Sequence, residues 1–309
     1  MLRAGLQIPS WWIASLSAPV RGALWMSAAA AAFALMIVLV RHLTQIFDPL
    51  EVVFFRNVFG LLAMLPWLTS QGIGVLRTQH LGLHVIRAVI GIAAMVLWFT
   101  TLSLMPLAEA TALSFTAPIF TSILATVFLG EVMRARRWTA IGVGFLGALI
   151  ILRPGVEALD PIALLAVFTA GVWATSTILV KVMARTESAG AIVTYLTLFL
   201  TPISLVPALL VWQTPTLGEL ALCVALGFAG SLGHICMTRA LAATEATLVM
   251  PFDYLRLPLV ALVAYFAFGE VADGWVWLGG GVIAASGLYI THREARLRAT
   301  AALASEHRV

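Results

Sequence analysis

Two long stretches of the chain repeat one pattern and decide the fold: LAEATALSFTAPIFTSILATVFLGE at Leu107–Glu131, and ATEATLVMPFDYLRLPLVALVAYFAFGE at Ala243–Glu270. Each stretch has Glu-Ala-Thr near its start, continues as an apolar run and ends in Gly-Glu. Trp138 follows the first stretch as Trp277 follows the second, at a shift of about 140 residues. This internal repeat indicates that the chain consists of two related halves.

The composition indicates that both halves lie in a membrane. Of the 309 residues, 61% are hydrophobic and 10% are charged, whereas soluble domains carry about 25% charged residues. Apolar runs of about 20 residues match the thickness of a bilayer core, and the alternating pattern of barrel strands is absent. The ten apolar runs cover residues 22–40, 50–69, 83–103, 107–129, 138–152, 161–180, 190–211, 217–238, 246–268 and 275–291. The sequence therefore predicts an all-α polytopic membrane protein with ten transmembrane helices.

The number of runs in each half predicts how the halves are oriented. Five runs is an odd number, so the second half must enter the membrane upside down relative to the first. Inverted repeats of this kind are typical of secondary transporters, whose substrate site lies near the midplane where the halves meet. We expect an N-terminal cytoplasmic segment at 1–21, the two five-helix repeats at 22–155 and 156–292, and a cytoplasmic tail at 293–309.

The distribution of Lys and Arg predicts the orientation of the whole chain. If the N-terminus is cytoplasmic, nearly all of these residues fall on the cytoplasmic side, Arg87 among them. Only Arg41 and Arg153 fall outside, and Arg56 and Arg256 lie within apolar runs. Cytoplasmic segments of membrane proteins carry an excess of Lys and Arg. The pattern predicts a multi-pass protein of the cell inner membrane with both termini in the cytoplasm.

The repeated stretches also resemble a known family. Together with FFRNVFG at Phe54–Gly60, they are similar to the EamA repeat of the drug/metabolite transporter superfamily, over roughly residues 22–292. The resemblance implies ten helices, cytoplasmic termini and transport of small organic metabolites or drugs. Members include exporters of amino acids and importers of S-adenosylmethionine or riboflavin. One departure concerns the expected site, because the first repeat has apolar and hydroxyl residues where the second has Asp253 and Arg256.

These two charges lie in the middle of an apolar run, between Pro251 and Pro258. A charged side chain at the centre of a spanning helix costs about 2.5–3.5 kcal/mol on insertion scales. Residues three apart share a helical face, and the prolines loosen the helix around them. We expect this face to line a central cavity, with Arg256 binding a carboxylate and Asp253 an ammonium group or a proton. A structural ion pair is the alternative.

Arg56 is the other isolated charge within a run. It either reaches the cavity or pairs with Glu51 or Glu109 as a structural tie. Acidic residues in the first turn of a helix complement its dipole, and those at a span end lie at the interface. We therefore expect structural roles for four glutamates: Glu109, Glu131, Glu245 and Glu270.

Aromatic residues within the runs predict the walls of the cavity. Trp98 and Trp173 lie deeper than the other tryptophans, whose positions near span ends are typical of an aromatic belt. With Phe33 and Tyr254 they form a possible wall for a flat or apolar group. Packing or lipid contact is the alternative for each. His234 lies in the eighth run and is either a hydrogen-bonded core residue or a substrate contact.

Several other functions find no support in the sequence. Lys181 is the only lysine and Val182 follows it, so the chain has no Walker-type phosphate loop and no cofactor is expected. HLGLH at His80–His84 has helical spacing for a metal pair but lacks a third ligand and falls in a predicted cytoplasmic connection. No catalytic set and no basic, aromatic-rich nucleic-acid surface occur. GVGFLG at Gly142–Gly147 and GGG at Gly279–Gly281 predict close helix packing or a homodimer face.

The sequence therefore predicts a secondary transporter that moves a small organic metabolite across the inner membrane by alternating access. One acidic and one basic group beside aromatics favour an amino-acid-like or aromatic zwitterion. The alternative is an importer of a vitamin or nucleoside-like metabolite such as riboflavin or S-adenosylmethionine. A polytopic membrane enzyme is a remote alternative, and a passive channel would need a more polar lining.

Overall fold

The computed structural model describes residues 17–129, 135–152, 160–244, 249–286 and 289, and this part of the chain is helical without strands. Ten helices in chain order are α1 Ala18–Leu43, α2 Pro49–Gln71, α3 Leu81–Leu104, α4 in two pieces at Leu107–Ser114 and Ala117–Leu129, α5 Ala135–Leu152, α6 Pro161–Met183, α7 Ala189–Leu210, α8 Leu217–Ala243, α9 Arg256–Phe268 and α10 Gly274–Ser286. Seven of them are long and apolar enough to cross a bilayer, α5 contains a shorter apolar segment, and α10 is itself a shorter apolar helix. The predicted all-α membrane fold is confirmed.

Proline and short polar side chains set where the helices begin. Pro19 occupies the first turn of α1, where a backbone donor is not needed, so this helix begins at Ala18 rather than at the predicted residue 22. The equivalent helices α2 and α7 start in the same way: the side chain of Asp48 accepts a hydrogen bond from the Leu50 amide, and that of Ser188 accepts one from the Ala191 amide.

The two halves pack against each other with a two-fold pattern. The first helix of each half lies against the third and fourth helices of the other, α1 against α8 and α9, and α6 against α3 and α4. The equivalent helices α2 and α7 run antiparallel, because Trp67 meets Gly190 at one end while Asn57 meets Ser204 further along. Equivalent helices that run antiparallel confirm the inverted arrangement of the repeats.

Glycines bring α5 and α10, the last helices of the two halves, into close contact. A Cβ added at Gly147 would lie 2.7 Å from the carbonyl oxygen of Gly279, and one at Gly279 would lie 2.5 Å from that of Gly147. Gly144 faces Ser286 one turn away, so this pair of helices also runs antiparallel. These glycines therefore serve the packing of one half on the other.

The fourth helix of each half is interrupted near the centre of the protein. Helix α4 breaks at Phe115 and Thr116, and a 3-10 turn at Met250–Leu255 precedes α9. The turn contains Pro251, which supplies no backbone donor. The predicted loosening of this segment is confirmed, and it puts Asp253 in irregular backbone with Arg256 at the first position of the regular helix. Broken helices at midplane are where transporters build their sites.

Glu270 joins the two halves at one face of the membrane. Its carboxylate accepts a hydrogen bond from Arg41 Nη2 at 3.0 Å and another from the Leu107 amide at 2.8 Å. Arg41 also donates to the carbonyl oxygens of Leu102 and Ser103. The structural role predicted for Glu270 is confirmed, whereas Glu131 and Glu245 lie outside the described residues.

Candidate substrate-binding cavity

A cavity with about 920 Å³ of empty space, including its open mouth, lies between the two halves. Its walls come from α1, α2, α3, α4, α6, α8 and the segment that leads into α9. Seven of the eight site residues predicted from sequence line it: Phe33, Arg56, Trp98, Trp173, His234, Asp253 and Arg256. The inverted packing therefore brings together side chains that lie up to 223 residues apart in the chain.

Tyr254 is the predicted site residue that the structure leaves out of the cavity lining. Its ring meets the ring of Phe115 edge to face at 4.8 Å between centroids. The guanidinium of Arg256 lies 5.5 Å from the centre of the same Phe115 ring. Tyr254 therefore packs behind the cavity wall, where it supports the side chain on which Arg256 rests.

Asp253 and Arg256 form an ion pair within one helical turn. Arg256 Nη2 lies 2.9 Å from Asp253 Oδ2, and the two side chains are 15% and 19% exposed. The same nitrogen lies 3.4 Å from the hydroxyl of Ser114, at the matching break in α4. Arg256 Nε is buried without a partner. The pair thus faces the cavity and keeps one donor unused.

Arg56 lines the cavity and carries two unpaired donors. Its side chain is fully buried, and Nη1 donates to Asn57 Oδ1 at 3.0 Å. Nε and Nη2 have no hydrogen-bond partner. The alternative of a tie to Glu51 is wrong, because Glu51 accepts from the backbone amide of Gln213 instead, at 3.1 Å. Among the described residues, Arg56 forms no ion pair with a carboxylate.

Two aromatic rings of the cavity lining flank His234. The His234 ring meets Phe33 edge to face at 5.3 Å and lies tilted against Trp173 at 5.6 Å. His234 is 3% exposed, and its Nδ1 has no partner. Trp98 lines the cavity from α3. Flat aromatic faces next to unpaired polar atoms suit a planar ligand with polar edges.

Methionine and threonine side chains complete the lining, and sequence reasoning missed them. Methionines at an apolar wall adapt their shape to a ligand. In a chain of long apolar runs, single Met and Thr residues carry no pattern that separates a cavity wall from a packed core. They are Met26, Met36, Met95, Met237, Thr121, Thr169 and Thr177.

Arg87 and His84 both belong to α3 and are 1% exposed. His84 is therefore in a helix and not in the connection predicted for HLGLH. Arg87 Nη1 donates to the carbonyl oxygen of Ile192 on α7, at 2.9 Å. His84 Nε2 lies 3.9 Å from the Glu187 carboxylate. The described residues contain no cluster of metal ligands.

Comparison with known proteins gives this architecture a family. The EamA-like transporter family matches residues 20–153 and again residues 161–291. The chain belongs to the EamA-like transporter family. The two matches correspond to the two inverted repeats, so both halves of this multi-pass membrane protein are EamA repeats.

Several relatives are named as transporters of riboflavin or for the uptake of S-adenosylmethionine. A riboflavin transporter of Rhizobium johnstonii is 35% identical over 91% of this chain and 94% of its own length. A riboflavin transporter of Vibrio cholerae is 34% identical over 90% of this chain and 95% of its own length. An S-adenosylmethionine uptake transporter of Rickettsia bellii is 35% identical over 79% of this chain and 84% of its own length. These names favour the vitamin or nucleoside-like alternative over an amino-acid-like substrate.

The fold itself recurs in a solved crystal structure. That chain is 18% identical, with a TM-score of 0.68 over 90% of this chain and 99% of its own length. At this identity the likeness concerns the fold alone.

Proposed function

We propose that this EamA transporter imports a planar heteroaromatic metabolite, with riboflavin as the first candidate. The observation that carries the proposal is Arg56, which lines the cavity while its buried Nε and Nη2 have no hydrogen-bond partner. An unmade hydrogen bond at a buried donor costs about 1–3 kcal/mol, and more for a charged group. A ligand with acceptor atoms on one edge removes that cost when it binds.

The ring system of riboflavin fits these walls chemically. It is flat and carries carbonyl and ring-nitrogen acceptors along one edge, which a guanidinium can donate to in parallel. Trp173 and Phe33 offer aromatic faces, and the unpaired Nδ1 of the neighbouring His234 adds a polar contact. The ion pair of Asp253 and Arg256 provides donors and acceptors for hydroxyl groups of a side chain such as ribityl.

The inverted halves support alternating access as the mechanism. Either half can take the conformation of the other, which turns a cavity open on one side into one open on the other. The breaks in α4 and before α9 provide flexible points at the cavity itself. We also propose an inner-membrane location with both termini in the cytoplasm, because nearly all Lys and Arg residues then lie inside. No enzymatic step and no partner protein enter this scheme.

S-adenosylmethionine is the second candidate. Relatives named for its uptake are 33–35% identical to this chain, and the Asp253 carboxylate at the cavity offers a contact for its positive groups. The amino-acid-like zwitterion expected from sequence has the same ion pair in its favour.

Uptake into sealed proteoliposomes tests the proposal. We expect saturable uptake of labelled riboflavin, reduced by unlabelled riboflavin and not by a mixture of amino acids. Protein-free liposomes and the variant Arg56→Met are the controls. Riboflavin counts that stay at the level of empty liposomes, while S-adenosylmethionine or an amino acid accumulates, would contradict riboflavin as substrate. Accumulation without saturation would contradict a transporter mechanism.

A further inference from the structure

Helix α8 carries glycines at intervals of three residues, Gly227, Gly230 and Gly233, and they meet different neighbours. A Cβ added at Gly227 would lie 2.4 Å from Phe59 Cβ and 2.6 Å from the backbone nitrogen of Gly60. Gly227 therefore serves the packing of α8 on α2. Gly230 and Gly233 instead meet side chains of the cavity lining, so the lack of a side chain at these two positions bears on the cavity itself.

Gly230 lies against the guanidinium of Arg56. A Cβ added at Gly230 would lie 2.8 Å from Arg56 Nε, 3.1 Å from Nη2 and 3.2 Å from Cζ. Nε and Nη2 are the two donors of this fully buried side chain that have no hydrogen-bond partner. A separation of 2.8 Å is shorter than a van der Waals contact, so a side chain at position 230 would displace the guanidinium or press on it.

Gly233 makes the corresponding space for an aromatic ring of the lining. A Cβ added at Gly233 would lie 2.6 Å from Phe33 Cε1 and 2.7 Å from Cδ1. The Phe33 ring in turn meets the ring of His234 edge to face at 5.3 Å. His234 follows Gly230 by four residues, so the two share one face of α8. One helical turn thus touches the guanidinium and the phenyl ring and carries the imidazole.

Glycines in a spanning helix by themselves indicate close packing and no more. The contact with Arg56 distinguishes Gly230 from Gly227, because the atoms nearest to its missing Cβ belong to a buried cation with unused donors rather than to a neighbouring backbone. A methyl group at position 230 would either cover the Nε–Nη2 edge or push it away. In both cases a ligand would lose hydrogen bonds from a charged donor.

We propose that Gly230 is a positioning residue for substrate recognition. Its lack of a side chain provides the space in which the Arg56 guanidinium lies and leaves the Nε–Nη2 edge uncovered for acceptor atoms of the transported metabolite. The inference rests on the proposed function and deepens it, since it names the position on α8 that fixes where Arg56 binds. Gly230 acts through Arg56 and does not itself contact the substrate.

Riboflavin titration of the purified full-length protein, followed by riboflavin fluorescence, tests this role in Gly230→Ala. We expect the affinity to fall about tenfold or more, which is the effect of losing one hydrogen bond from a charged donor. In an Arg56→Ala background the same substitution should change the affinity less than about twofold, because no guanidinium remains to be displaced. Gly218→Ala is the matched control in α8, since a Cβ added there meets nothing within 4 Å, and it should leave the affinity unchanged. Unchanged affinity in Gly230→Ala, or an equal loss with and without Arg56, overturns the inference.

Thermal unfolding without any ligand separates this inference from the proposed function. It compares the wild type, Gly230→Ala, Arg56→Ala and the double variant. We expect the shift in unfolding temperature caused by Gly230→Ala to be less favourable by at least about 2 °C when Arg56 is present, because only then does the new Cβ meet a guanidinium. Equal shifts in the two backgrounds overturn the inference, whichever metabolite is transported.

The double variant also covers a failure of Gly230→Ala to fold. If the added methyl group acts through Arg56, truncation of Arg56 must restore folding. A double variant that does not fold, while Arg56→Ala does, overturns the inference. A wild-type protein that binds no riboflavin contradicts the proposed substrate instead, and the unfolding comparison then decides the role of Gly230.

Discussion

The unpaired state of Arg56 leads to an uncommon expectation: its removal should damage transport and stabilise the protein. In Arg56→Met, a side chain of similar reach replaces a fully buried cation that has one hydrogen bond, to Asn57 Oδ1. Replacing buried charge by apolar side chains stabilises proteins by about 1–4 kcal/mol in favourable cases. Loss of the Asn57 contact offsets about 1 kcal/mol of that gain. We therefore expect a net gain of about 0–3 kcal/mol in the free energy of unfolding.

The same substitution should weaken substrate binding. A hydrogen bond from a charged donor contributes about 1.5–3 kcal/mol, which corresponds to a loss of roughly 10- to 150-fold in affinity for riboflavin. Thermal unfolding in detergent, with and without riboflavin, measures both effects in one experiment. The apo protein should unfold at an unchanged temperature or one higher by up to about 6 °C, and the riboflavin-dependent increase should largely disappear.

Arg41→Met is the matched control, because it removes an arginine that is paired. It removes one of the two hydrogen bonds described for Glu270, leaving that from the Leu107 amide, and frees two carbonyl oxygens, so we expect a loss of about 1–3 kcal/mol in stability. If Arg56→Met lowers the unfolding temperature as Arg41→Met does, Arg56 is a structural tie. If it leaves riboflavin binding unchanged, the assignment of Arg56 to the substrate is refuted.

Three further changes test other parts of the structure. Gly147→Val puts a side chain where a Cβ already lies 2.7 Å from a backbone oxygen, and should cost about 1–3 kcal/mol in unfolding measurements, whereas Gly142→Ala has nothing within 4 Å and should be neutral or slightly stabilising. Trp173→Leu should raise the KM for uptake about threefold to tenfold by removing an aromatic face, and an unchanged KM would separate Trp173 from the substrate. Asp253→Asn should abolish uptake driven by a pH gradient if Asp253 carries the proton; uptake at the normal rate excludes that role.

The sequence predicted the helices well because length and hydropathy alone decide a membrane span. It also predicted the inverted arrangement, since five runs in each half leave no other choice. The sequence also singled out Arg56, Asp253 and Arg256 as site residues. A charged side chain within an apolar run can be recognised from the sequence alone, and its free-energy cost in lipid suggests a function. Tyr254 fell outside the cavity lining because the 3-10 turn rotates it towards Phe115, and one sequence does not reveal such a turn.

The burial of the Arg87 side chain could not be predicted from the sequence. A count of positive charges near a span end treats every arginine there as exposed to the cytoplasm. Whether its side chain points to water or to a neighbouring helix depends on helix rotation. The contact that decides the matter, the Ile192 carbonyl, lies 105 residues away. The methionine lining of the cavity was invisible for a related reason, because apolar residues give no clue to which face of a spanning helix meets a partner.

The carboxylate of Glu270 imposes a condition on the transport cycle. It holds the end of α1 and the start of α4 from the opposite half. Any motion that separates the halves at this face breaks the hydrogen bonds from the Leu107 amide and the Arg41 guanidinium to this carboxylate. Both donors then lack a partner until water hydrates them. Access from this side therefore requires hydration of a single carboxylate and of the two groups that it holds.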